Sequence, residues 1–140
     1  MKPRSPSLGA PRPPFLGAPG KLLLAFSDEE LRRRVVDGPL PTSDGSAELD
    51  AGDLASELES IREDGYALSL QERVPGVVAM AVPVRDHRGA VAAALSISIP
   101  SVRAGRDDLL RLVPQAREAA GRLSERLGYA GETAGGAGDM

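Results

Sequence analysis

No cysteine occurs anywhere in the 140 residues, which excludes disulfide frameworks, thiolate metal sites and cysteine nucleophiles. Tryptophan is also absent, and two Tyr and two Phe make up the whole aromatic complement. Any core must therefore be aliphatic and rich in small residues, and a hydrophobic content of 41% suffices to build one. Positive charge is not in excess. Seventeen Lys and Arg against 20 Asp and Glu give a formal net charge of −3, which argues against autonomous nucleic-acid binding through a basic face. No apolar run approaches membrane-spanning length, Leu22 to Phe26 being only a short patch. Lys2 and Arg4 are not followed by an apolar signal core, so a cytoplasmic protein without membrane contact is expected.

Catalytic chemistry is equally thin. His87 is the single histidine, and its place in the turn Asp86-His87-Arg88-Gly89 marks it as a solvated loop residue. No Ser–His–Asp order, metal-ligand spacing or glycine-rich phosphate loop occurs, and Lys21 after Gly20 lacks the rest of a phosphate-loop pattern. The expectation is a protein with no catalytic residue, no metal site and no cofactor. Arg32-Arg33-Arg34 reads as the wet side of an amphipathic helix, with Leu31 and Val35 inward. Asp53, Glu57, Glu59, Glu63 and Asp64 read as a solvated helix face.

What the chain does have is a hairpin. Pro75 to Val84 and Ala90 to Pro100 are apolar runs that flank the turn, the signature of two antiparallel strands. With Asp86 opposite Gly89, Ala79 faces Ser96, Ala81 faces Ala94 and Pro83 faces Ala92 on one side of the sheet. On the other side Val78, Met80, Val82 and Val84 oppose Ile97, Leu95, Ala93 and Val91. One face is bulky, as a core face should be. The other is small and carries hydroxyls, which suits either the floor of a pocket or the underside of a closely packed helix. A three-residue loop with a bulge would shift the pairing near the turn.

The remaining elements follow from periodicity and punctuation. Residues 1–14 are proline-rich and start neither a helix nor a central strand. Gly17 to Phe26 predicts a short buried helix, apolar nearly all round. Ser27 and Glu30 form a capping box for a second helix to about Val36, stopped by Gly38-Pro39. A loop over 37–48 precedes a third helix from about Leu49 or Asp53 to Asp64, with Leu54, Leu58 and Ile61 at helical spacing and Gly65 as its cap. Tyr66 to Gln71 reads as a strand. Leu109, Leu112, Val113, Ala116, Ala120, Leu123 and Leu127 form the apolar stripe of a long final helix, which Pro114 kinks or begins and Gly128 ends. Helices segregated around an antiparallel sheet make an α+β domain.

These signatures, taken in order, resemble the C-terminal effector-binding domain of IclR-type (isocitrate lyase regulator) bacterial transcription factors. Leu8-Gly9, Pro13-Pro14-Phe15 and Gly20-Lys21-Leu22-Leu23-Leu24-Ala25-Phe26 are similar to the approach to that domain's first helix. Glu72, Pro75-Gly76-Val77, Ala79-x-Ala81-x-Pro83-Val84-x-Asp86-x-x-Gly89 and Leu95-Ser96-Ile97-Ser98 resemble its central hairpin. Ala119-Ala120, Ser124 and Leu127-Gly128 resemble its closing helix. The resemblance implies a GAF-like effector-binding fold over residues 8–128, an antiparallel sheet with flanking helices, incomplete at its N-terminus. It makes residues 8–15 ordered extended chain, with a flexible N-terminus over 1–7 and a flexible tail over 129–140.

By position, the family's ligand contacts fall on Gly17 and Ala18 before the first helix, on Ser69 and Ala79, and on Ser96 and Ser98. A small organic acid held by the serine hydroxyls and by amides at the helix start is the implied effector, although Pro19 removes one of those N–H groups. The resemblance further implies transcriptional regulation through a winged helix-turn-helix that would precede Leu8. This chain is not expected to bind DNA itself, but to act as a homo-oligomer or with a full-length family member. The alternative is a truncated dimerisation fragment that binds no ligand.

Overall fold

The computed structural model describes residues 14–130. The expected flexible segment 1–7, most of the extended run 8–15 and the tail beyond Ala130 lie outside the described residues. The elements run α1 (Ala18–Ala25), α2 (Glu29–Asp37), α3 (Ala51–Asp64), β1 (Ala67–Leu70), β2 (Val77–Arg85), β3 (Val91–Pro100) and α4 (Arg106–Arg126). The strands form one antiparallel sheet in the order β1-β2-β3, as the α+β reading required. The helix α4 covers one face of it and α1 the other, with α3 packed behind α1.

The bulky face behaves as predicted. Val78, Met80, Val82 and Val84 are buried against Leu109, Val113, Ala116 and Ala120 of α4. Burying four aliphatic side chains against a helical stripe is worth roughly 1.5–3 kcal/mol each relative to exposure. The helix begins earlier than its apolar stripe, at Arg106, because the Asp108 carboxylate turns back to accept from the Gly105 N–H at 2.8 Å. Pro114 lies inside the helix. The last two members of the stripe are not inward: Leu123 and Leu127 are exposed, and buried Ser124 takes the inward place. Its hydroxyl donates to the Ala120 carbonyl at 2.8 Å and accepts from the Arg85 N–H at 2.9 Å, fastening the end of α4 to the end of β2.

Three local expectations are corrected. The capping box on Ser27 and Glu30 does not form. Asp28 caps α2 by accepting from the Leu31 N–H at 2.8 Å, and the Ser27 hydroxyl closes α1 instead, donating to the Leu24 carbonyl at 2.6 Å. A carboxylate suits the positive helix start better than a neutral hydroxyl. Leu31 is exposed, and α2 rests on the core only through partly buried Val35 and Val36. Leu23 is exposed too, so α1 is two-sided, with Ala18, Leu22, Leu24 and Ala25 buried. The third helix ends as read, on Gly65 at φ 79, a left-handed conformation that glycine adopts without Cβ strain.

The hairpin register differs by two residues from the simple reading. Ala79 faces Ser98, Ala81 faces Ser96 and Pro83 faces Ala94; on the other side Val78 faces Ile99 and Met80 faces Ile97. Two irregularities produce the shift. The turn has three loop residues, closed by the Asp86 N–H to Ala90 carbonyl bond at 2.9 Å, with Gly89 at φ 82. Pairing then passes from Arg85↔Val91 to Val84↔Ala93, which leaves Ala92 as an unpaired bulge. Each irregularity adds one residue. Beyond the bulge their sum is even, so residues 93–100 keep their expected faces, whereas Val91, expected opposite Val84, pairs with Arg85 on the other face because only one irregularity precedes it.

Candidate functional site

The six candidate ligand contacts come together on one side of the sheet. Ser69 pairs with Ala79, and Ala79 pairs with Ser98, so the three form a single row across β1, β2 and β3. Ser96, opposite Ala81, lies on the same face in the adjacent row of that side. The helix over this face is α1, whose start is Gly17 and Ala18. Small residues permit the close approach: Ala18, Ala67, Ala79 and Ala81 share one core cluster with Leu22 and Leu24 of α1. Gly17 holds φ 88, and a side chain there would come within 3.1 Å of the Arg73 side chain.

Burial divides the row. Ser69 is 4% and Ala79 7% exposed, whereas Ser96 and Ser98 on the outer strand are open to solvent. The two readings left open by the sequence thus each describe part of the face: beneath α1 it is packed core, and beyond β2 it is accessible. Ser69 is unusual among buried polar groups, which are normally paired. Among the described residues its hydroxyl has no hydrogen-bond partner, so a donor and acceptor stand ready beside the open serines.

Sequence reasoning missed the group next to this row. Lys21 is 1% exposed and bonds the carboxylates of Glu57 at 2.6 Å and Glu72 at 2.8 Å. It joins α1 to α3 and to the β1–β2 connection. Glu57 is therefore not a free member of a solvated face, although Asp53, Glu59, Glu63 and Asp64 are exposed as expected. The signal was a single lysine inside an apolar helix, since a buried ammonium requires a carboxylate partner. Beside the triad opens a cleft of about 530 Å³, walled by the 42–50 loop, the first turns of α3 and the β1–β2 connection.

Elsewhere the polar groups are structural. His87 is exposed in its turn. Asp86 accepts from the Arg88 guanidinium and from the Arg88 and Ala90 amides, and these bonds, the Arg88 side chain foremost, hold its carboxyl below the usual range. Arg33 pairs across the exposed surface of α2 with Glu29 at 3.0 Å. Among the described residues no group of three or more His, Asp or Glu side chains is placed to hold a metal ion, and no helix is long and apolar enough to cross a membrane.

The fold and site define a three-layer α+β domain with a partly open, hydroxyl-bearing sheet face under its first helix. A family model described as "Bacterial transcriptional regulator IclR C-terminal" matches residues 4–125, and the chain belongs to that family. It is 32% identical over 123 residues to the HTH-type transcriptional regulator KdgR of Escherichia coli K12, covering 87% of this chain and 47% of that protein. With the HTH-type transcriptional regulator XynR of the same organism it shares 37% identity over 111 residues, 79% of this chain and 44% of that one. Among solved structures, it is similar to the inducer-binding domain of the PobR transcription factor from Acinetobacter, crystallised as a double mutant with 3-hydroxybenzoic acid. The TM-score is 0.74 at 28% identity, over 89% of this chain and 72% of that one. The chain spans about half the length of the curated relatives it matches.

Proposed function

We propose that this chain is the ligand-sensing part of a cytoplasmic transcriptional regulator and binds a small organic acid on the α1 side of its sheet. Gly17, Ala18, Ser69, Ala79, Ser96 and Ser98 are the proposed contacts. The observation that carries the reading is the row Ser69–Ala79–Ser98, with a buried hydroxyl that has no partner among the described residues and an open one on the same face. The carboxylate accepts hydrogen bonds from the serines, on the part of the face that α1 leaves accessible. A structural relative seen with a hydroxybenzoic acid supports this ligand class. Occupancy would act on DNA through a DNA-binding domain in the full-length protein or in a partner.

The test is a thermal-shift screen of small carboxylic and aromatic acids on the chain and on the Ser96→Ala/Ser98→Ala double variant. Each hydroxyl hydrogen bond is worth on the order of 1 kcal/mol, and one to a charged ligand about 1.5–3, so the double variant should bind roughly 30-fold or more weakly. Equal stabilisation of both proteins by one acid would remove these serines from the site.

A second reading has its own supporting observation. The outermost strand, β3, leaves one edge unpaired among the described residues, and such an edge suits a dimerisation fragment that binds no ligand. Complete absence of a stabilising acid would favour it.

A further inference from the structure

The cleft beside the Lys21 triad is separate from the serine row and differs from it in charge. Its volume of about 530 Å³ falls within the range of roughly 300–1,000 Å³ typical of small-molecule sites. Leu16 and Leu54, both core residues, form part of its apolar floor, and Asp44, Asp53, Glu57 and Glu72 stand around its walls. Among the described residues no lysine, arginine or histidine lines it. The nearest cation, Lys21, is sealed beneath and already committed to Glu57 and Glu72.

Anions are not suited to this space. The α3 start would ordinarily attract one, but Asp50 already accepts from the Asp53 N–H at 2.9 Å and sets its own charge there. Asp44 is kept ionised by hydrogen bonds from the Ser46 amide and the Ser46 and Thr42 hydroxyls, which lower its carboxyl below the usual range. A metal ion is not suited either, because no three acidic groups converge at coordination distance among the described residues. What remains is a charge-complementary occupant with a hydrocarbon body.

We propose that this cleft is a second ligand site, which takes an organic amine: the ammonium against the exposed carboxylates of Asp44 and Asp53, the apolar body against Leu16 and Leu54. The site lies at the junction of α1, α3 and the β1–β2 connection, and needs neither Ser96 nor Ser98.

Calorimetric titration of the full chain with 2-phenylethylamine tests it, with phenylacetate as the matched acid. Saturable binding of the amine is expected, weakened by added salt, by about threefold or more in Asp53→Asn, and not at all in the Ser96→Ala/Ser98→Ala variant. Asp53 is exposed and its side chain caps nothing, and an unchanged melting curve of the variant would show that its fold is intact. Absence of saturable amine binding would overturn the proposal, as would equal binding of amine and acid to this cleft or indifference to Asp53→Asn. Displacement of the amine by a synthetic peptide of residues 1–13, which carry Lys2, Arg4 and Arg12 and no acid, would assign the cleft to the chain's own basic segment instead. That result would equally overturn the amine reading.

Discussion

The Lys21 ammonium lies 2.6 Å from the Glu57 carboxylate while only 1% of Lys21 is exposed, against 40% of Glu57. The two partners therefore stand in unequal positions. Removing the ammonium leaves carboxylates that water can reach, whereas removing the carboxylates leaves a positive charge without a partner in the core. We expect the double variant Glu57→Gln/Glu72→Gln to lose about 3–5 kcal/mol of stability, the usual cost of breaking a buried pair from one side. Lys21→Met, which keeps the stem and removes the charge, should lose clearly less. Urea unfolding of the variants decides it, and a larger loss in Lys21→Met would show that the pair is not organised by burial of the lysine.

Acid should loosen the hairpin turn. The Asp86 carboxyl is held below its ordinary value of 3.8 chiefly by the Arg88 side chain. A carboxyl whose pKa is lower folded than unfolded contributes stability above its unfolded pKa and loses it as pH falls through the folded one. Amide exchange of Gly89 and Ala90 should therefore quicken as pH drops through and below about 4, once corrected for intrinsic exchange. Asp86→Asn should flatten that dependence. An equal acid response in both proteins would place its origin elsewhere.

Self-association is the third expectation. Nine consecutive uncharged residues, Val91 to Ile99, make up nearly all of an edge strand, and natural edges are usually guarded by charge, proline or a covering element. Analytical ultracentrifugation should show association that grows with concentration, and Ala93→Lys should shift it toward monomer. A stable, cooperatively folding monomer at micromolar concentration would count against this.

A fourth expectation concerns DNA. With a formal net charge of −3, this chain by itself should show no sequence-selective duplex binding in a mobility-shift assay at physiological salt. Tight selective binding would overturn this expectation.

Periodicity revealed most of the architecture because large residues report which side they face. Val78, Met80, Val82 and Val84 could only be a core face, and Leu54, Leu58 and Ile61 could only be one side of a helix. The cap of α2 was misread because Ser27 and Asp28 are both capping residues, and their division of labour depends on how α1 ends. Lys21 with Glu57 and Glu72 was invisible for a different reason. The partners are 36 and 51 residues away, and no local pattern joins them. The small face was legible as a set of residues but not as a surface, since packing by α1 decides which of its alanines and serines are covered.

The paired irregularities of the hairpin carry a consequence for chain length. Gly89 supplies one extra residue and Ala92 another, and only their even sum leaves Ser96 and Ser98 on the α1 side with Leu95, Ile97 and Ile99 toward α4. Deleting a single residue between Arg85 and Ala93 would exchange the two faces of β3, putting hydroxyls into the α4 interface and branched side chains under α1. Deleting two, or inserting two, would spare both. Length change in this segment is thus tolerated in even steps, a rule that a deletion series scored by melting temperature can read directly.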